Sequence, residues 1–300
     1  MSKPSRPPST TTTTTTRAAD DVLEKPVTIR SVWSSNLESE FDWIRQVIDS
    51  YPHISMDTEF PGALIQKGLR HWIPDECYAN LKKSVDPRKL IQLGITLTDY
   101  DGNLPDLGIP GEHYVWEFNF SDFDVSNDVH NPSSIQLLRD HGIDLEKNRE
   151  LGVKLSRFSE LMMSSGLVCN DEVSYVVFHG GSDFGYLIKN LTGRVLPEKL
   201  EDFVELVRIF FGERVYDVKH VIKNGNGLYG GLNQVAKTLG VSRVSGGSHQ
   251  AGSDSLLTWH TFQKIREVYF KDDERLMQEY AGVVYQLELL PHPRISHPRR

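Results

Sequence analysis

Leu37, Phe41, Ile44 and Ile48 recur at helical spacing, which predicts a helix over about residues 37–49. Tyr51-Pro52 ends it, since proline has no backbone N–H to continue the ladder. A short strand is predicted at about 53–59, and Pro61-Gly62 turns the chain. The segment 90–98 (LIQLGITLT) is apolar and β-branched, and 114–120 (YVWEFNF) alternates in polarity, so both read as strands. Three neighbouring strands predict an antiparallel meander. The pattern then changes. Helices are predicted at about 134–140, 154–164, 183–191, 200–211, 232–239 and 253–267, with short strands at 175–178 and 214–218. Strands first, then strands alternating with helices, predict an α/β domain: a mixed sheet of antiparallel meander plus parallel strands, covered by helices.

The ends differ from this core. Residues 1–26 are rich in Pro, Ser and Thr, include the threonine run 10–16 and offer no apolar face to bury, so a disordered tail is expected. Lys3, Arg6 and Arg17, with no acid before Asp20, would also suit an organelle transit peptide, but no amphipathic pattern accompanies them. Residues 291–300 read as a flexible basic tail, leaving 27–290 as the folded domain. No apolar run is long enough to span a bilayer, so no membrane contact is expected. Cys77 and Cys169 stand far apart in no metal or redox spacing, which fits a reducing compartment. The expected location is the cytoplasm, and the nucleus besides. A formal net charge of −8 argues against a surface that attracts nucleic acid everywhere. It leaves room for a cluster of carboxylates neutralised by cations.

Such a cluster can be assembled from three places. Asp57 and Glu59 stand at i and i+2 on a predicted strand, so both project from the same face, with Ser55. Two like charges there repel unless a cation intervenes, although an exposed strand end could also carry them. Asp183 follows the strand at 175–178 and opens a helix. An acid in that place can simply cap the helix, but strand C-termini are also where α/β folds put ligands. His249 and Asp254 flank the start of the helix at 253–267. Positions five apart do not share a helix face, so His249 is placed on the preceding loop. Taken alone, this pair is better explained by a plain helix cap and a solvated histidine. Together, four carboxylates suit magnesium, which prefers oxygen ligands. Two such ions can activate water and stabilise a leaving oxygen in phosphodiester cleavage, and a histidine near neutral pKa can take the proton.

The segments MDTEFPG (56–62), KLIQLGITL (89–97), FHGGSDFGYLIK (178–189), VYDVK (215–219), GGLNQVAKTLGV (230–241) and HQAGSDSLLT (249–258) closely resemble the Caf/Pop-type deadenylases, catalytic subunits of the Ccr–Not complex. The resemblance runs from about residue 28 to about 290. It implies an RNase H-like fold of the DEDD exonuclease superfamily, histidine-type branch. It also implies 3′-to-5′ removal of AMP from messenger poly(A) tails, and assembly with Not-type scaffold and Ccr-type deadenylase subunits. The family's acids fall on Asp57, Glu59, Asp183 and Asp254, and its histidine on His249. The cofactors implied are two divalent ions, Mg2+ first, with Mn2+ or Co2+ as substitutes. The chain departs from the pattern at Ser182, where relatives commonly carry Tyr, and at Ser84, where they often carry Asn; neither departure removes an expected ligand.

Other features carry weaker expectations. NGNGLYGGLN (224–233) lacks the spacing of a phosphate-binding loop, but the resemblance places Gly230 and Gly231 beside the substrate cleft. Phe60 could stack on a base, although its place opposite the acids favours core packing. Lys82, Lys83, Arg88 and Lys89 form a basic cluster that reads as solvated surface before it reads as a phosphate contact. The rival functional readings are a general or DNA-directed exonuclease on the same site, and an adaptor in which catalysis is incidental.

Overall fold

The computed structural model describes residues 26–63, 73–223 and 227–289; the expected tail at 1–26, save residue 26, and the expected tail at 291–300 lie outside them. In chain order the elements are strand β1 (Val27–Val32), helix α1 (Leu37–Val47), β2 (His53–Glu59), α2 (Pro74–Val85), β3 (Gln92–Thr98) and β4 (His113–Asn119). Helices α3 (Pro132–Asp140), α4 (Leu145–Leu151) and α5 (Leu155–Met163) follow, then β5 (Ser174–Val177), α6 (Gly181–Thr192), α7 (Leu200–Phe211) and β6 (Val215–Asp217). The short α8 (Val218–Val221), then α9 (Leu232–Thr238), α10 (Ala251–Ile265), a π-helical turn (Arg266–Phe270) and α11 (Glu274–Gln278) complete it.

The six strands form one sheet in the order β1-β4-β3-β2-β5-β6. β2, β3 and β4 make the expected antiparallel meander, with Asp57 opposite Gly94 and Gly94 opposite Glu117. β5 and β6 extend it in parallel beyond β2, and β1 pairs in parallel with β4 at the other edge. This is the mixed, helix-covered, RNase H-like sheet expected from the sequence. β1, α2, α4, α8 and α11 were not anticipated. β1 is a half-exposed edge strand, and α2 buries only Tyr78, Ser84 and Val85, so neither leaves a strong apolar period.

The two faces of the sheet are chemically different. Ile54, Met56, Leu93, Ile95, Leu97, Trp116 and Phe118 point to one side and form the main core with residues of α1, α5, α6 and α7. The opposite side carries small and polar groups, and α10 lies across it. Ser55 Oγ donates to the Ser255 carbonyl at 2.7 Å, and the hydroxyls of Thr96 and Ser255 meet at 2.9 Å. The closest approach is at Gly94. A Cβ placed there would stand 1.9 Å from the Ala251 carbonyl oxygen and 2.5 Å from the Gly252 nitrogen. The first turn of α10 has no side-chain cap at Gln250. Instead the sheet satisfies its amides: Ala251 N–H donates to Gln92 and Gly252 N–H to Glu117.

Gly94→Ala is therefore expected to lower stability by about 2–3 kcal/mol, since the obstacle is backbone and not a movable side chain. Chemical denaturation measures this; a variant as stable as the parent would contradict the close approach.

Candidate active site

The sheet-and-helix crossing brings the expected acids together from three elements. Asp57 and Glu59 share the α10 face at the end of β2, in the middle of the sheet. Asp254 stands in the first turn of α10, above them. His249 precedes the helix with φ 58°, and its N–H donates to Asp254 Oδ2 at 2.8 Å. Metal-ligating atoms of Glu59, His249 and Asp254 all lie within 4.8 Å of one another, and His249 Nδ1 is 3.9 Å from Glu59 Oε1.

Asp183 reaches the site from the other side of the sheet. Gly180, not Asp183, holds the N-cap position of α6, and the Asp183 carboxylate is turned toward β2, where the Thr58 hydroxyl donates to it at 2.5 Å. Two cavities meet at the strand end. One, of about 720 Å³, is lined by Asp183; the other, of about 640 Å³, is lined by Glu59, His249 and Asp254; Asp57, Thr58 and Phe60 line both. Asp57 is thus the carboxylate common to the two halves of the site.

The electrostatics follow from this crowding. Burial first, then the negative charges of Asp183, Asp254 and Glu59, raise the Asp57 carboxyl well above its usual range. Glu59 is pushed up to about 8 by burial and then by Asp254, Asp183 and Glu117. Asp183 is pushed up to about 7, chiefly by burial; hydrogen bonds from Thr58 oppose this and Asp217 adds to it. Partial burial lowers His249, against the pull of Asp254. Carboxylates held this close retain protons unless cations replace them, and the donor set is almost all oxygen, which fits hard divalent ions.

Phe60 stacks on Tyr186 at 5.2 Å and also borders both cavities, so it joins packing to the site wall. Gly230 and Gly231 line the Asp183 side, and Gly231 both sides. Gly230 has φ +93°, whereas a Cβ at Gly231 would meet nothing within 4 Å. Residues 224–226 of the glycine-rich segment lie outside the described residues. The basic cluster is a solvated surface only in part: Lys83 and Lys89 are exposed, while Lys82 is half-buried. Lys82 pairs with Asp86 and Glu198, Lys89 with Asp128, and Arg88 is buried.

Two residues around the acids were missed. Arg243 donates to Asp254 Oδ1 at 2.5 Å, to Asn233 and Ser253 side chains and to the Gly247 carbonyl, and so fastens the His249 loop to α9 and α10. Nothing near Arg243 in the chain signals this. Asp217 is fully buried at the end of β6. An acid closing a short apolar strand was a readable signal of a buried task.

Comparisons with known proteins agree with this geometry. Residues 32–165 match the model of the CAF1 family ribonuclease. The chain is 47% identical over 270 residues to "Probable CCR4-associated factor 1 homolog 10" of Arabidopsis thaliana, spanning 90% of this chain and 95% of the relative. It is 38% identical to "Poly(A) ribonuclease pop2" of Schizosaccharomyces pombe, over 93% of this chain and 82% of that one. A structure of S. pombe Pop2p with Mg2+ and Mn2+ bound superposes with a TM-score of 0.79, covering 87% of this chain and all of that one (100%), at 38% identity. CAF1 co-crystallised with the yeast NOT1 MIF4G domain gives 0.70 at 34% identity, covering 86% of this chain and 96% of that one. With relatives this similar along nearly their whole length, the chain belongs to the CAF1 ribonuclease family.

Proposed function

We propose that the protein is a 3′-to-5′ exoribonuclease that shortens poly(A) tails, releasing 5′-AMP, as a subunit of a Ccr–Not-type complex. The observation that carries the reading is the gathering of Asp57, Glu59, Asp183 and Asp254 around one strand end, with His249 beside them. Asp57 contributes to both halves of the site. Glu59 and Asp254 complete the half that faces His249, and Asp183 serves the other. When bound there, two divalent ions supply Lewis-acid stabilisation of the phosphate and of the leaving 3′ oxygen. His249, whose hold on a proton partial burial weakens, accepts the proton of the attacking water at the ring nitrogen that faces Glu59. Arg243 holds Asp254 and the His249 loop in register for this step. The likeness to a CAF1 bound to a NOT1 domain supports a scaffold of that kind as partner. Among the described residues, no helix is long and apolar enough to cross a membrane.

The direct test is a time course on 5′-labelled RNA with an A-rich 3′ end, in Mg2+ or Mn2+, with a matched DNA oligomer alongside. A ladder shortening from the 3′ end of the RNA, abolished by chelator and restored by adding metal back, is expected. Equal cleavage of the DNA would favour a general exonuclease instead, since the 2′-hydroxyl is what distinguishes the two substrates. No activity with Mg2+, Mn2+ or Co2+ would favour an adaptor.

Asp57→Ala and Asp254→Ala are each expected to reduce the rate at least 1,000-fold, taking a metal-site contribution of about 4 kcal/mol or more. Circular dichroism should show the fold retained. A purified Asp57→Ala protein with normal activity would contradict the site.

The two glycines should separate. Gly231→Val is expected to slow RNA cleavage with little change in thermal midpoint, because the new side chain enters open space in the cleft. Gly230→Val should lower both, because its backbone conformation strains any other residue. Equal loss of both properties at Gly231 would remove that residue from the cleft.

A further inference from the structure

The cavity on the Asp183 side extends past the acids to a wall that includes Phe178, His179, Lys219 and Tyr285. None of these takes part in the reaction just described. Among the described residues lining this cavity, Lys219 is the only lysine or arginine. Its Nζ donates to the Gly230 carbonyl at 2.6 Å and lies 5.7 Å and 6.0 Å from the ring centroids of Phe178 and Tyr285. It is half-buried, and among the described residues no carboxylate lies within ion-pair distance of it. A lysine has three donors, and one carbonyl uses one of them. Two aromatic faces and a single carbonyl leave such a cation short of a negative partner.

The wall is also fixed in place. The buried Asp217 carboxylate accepts the N–H groups of His179 at 2.8 Å and of Gly180, Lys219 and Tyr285 at 3.0 Å each. One anion therefore ties the β5–α6 loop, the start of α8 and the segment containing Tyr285 to a common point. The lysine stem starts from a backbone that is already held, so less ordering is left to a ligand. An acid-rich centre repels RNA, and a cation at the far end of the same cavity offsets that repulsion.

We propose that Lys219 binds the phosphodiester immediately upstream of the scissile linkage, with Phe178 and Tyr285 as the faces beside the sugar and base of that nucleotide. This rests on the exoribonuclease reading and adds to it the path of the strand: away from His249, past Asp183, toward Tyr285.

The test uses the full chain and two 5′-labelled oligoadenylates. One is unmodified; the other carries a neutral methylphosphonate at the linkage just upstream of the scissile one. Lys219→Met should raise KM about tenfold while kcat stays within about twofold. It should also make the dependence of log kcat/KM on log salt shallower by about 0.7, the value for one phosphate on a single strand. Lys219→Arg should keep most of the affinity. The methylphosphonate should cost the parent enzyme about tenfold and Lys219→Met nothing further. Unchanged KM and salt slope in Lys219→Met, or equal losses on the two substrates, would overturn the assignment. Should Lys219→Met fail to fold, the parent decides alone, and indifference to the methylphosphonate overturns it. A parent enzyme that shortens neither substrate removes the exoribonuclease reading itself, a result distinct from normal cleavage that ignores Lys219.

Discussion

Everything at the site depends on a helix lying directly on sheet backbone. α10 can reach β3 only because residue 94 has no side chain, and the contact is main chain against Gly94. A bulkier face would hold a helix about 10 Å from the sheet, the spacing at which side chains fill the gap. Here the gap is closed. Asp254, on the first turn, descends to the level of Asp57 and Glu59 in the neighbouring strand. The same approach would bury the first N–H groups of the helix, and Gln92 and Glu117 rise from the sheet to accept them. Structure and chemistry meet in one cross-strand row: Asp57, Gly94, Glu117.

The buried acids carry a cost that the apolar core offsets. Glu59, Asp183, Glu117 and Asp217 are buried, with Asp57 beside them. Their carboxyls are raised by lost solvation and, for those at the strand end, by mutual repulsion. The large apolar cluster on the side of the sheet away from α10, from Val32 through Leu287, holds the strands in register regardless. Cations at the acids would relieve the repulsion and so couple metal binding to stability.

Sequence reading succeeded where one physical signal dominated. The strand at 53–59 and the helix at 200–211 were legible to the residue. Proline bounds the first on its N-terminal side, and the second has an unbroken apolar stripe ending at Gly212. The acids were legible in pairs at most, because periodicity places Asp57 and Glu59 on one face but says nothing of a residue as remote in the chain as Asp183. Resemblance supplied that link. What neither route reached were contacts of long range: Arg243 on Asp254, Asp217 on the four N–H groups it accepts, Gly94 under α10. The basic cluster was read correctly at the exposed Lys83 and Lys89 and not at Lys82 and Arg88. Two of its partners, Glu198 to Lys82 and Asp128 to Lys89, are remote in the chain, so a local count of charge does not show them.

Asp217 has one more consequence. The residue it grips last is Tyr285, and just before it Gly282 and Val283 join the β6 edge through a backbone hydrogen bond and a bridge to Tyr216. One wall of the cleft is therefore tied down by a stretch that follows all four site carboxylates in the chain. Trimming the polypeptide backwards past that stitch would loosen the entrance while leaving all four carboxylates in the chain, so a shortened protein can lose its grip on RNA before it loses any part of the chemistry.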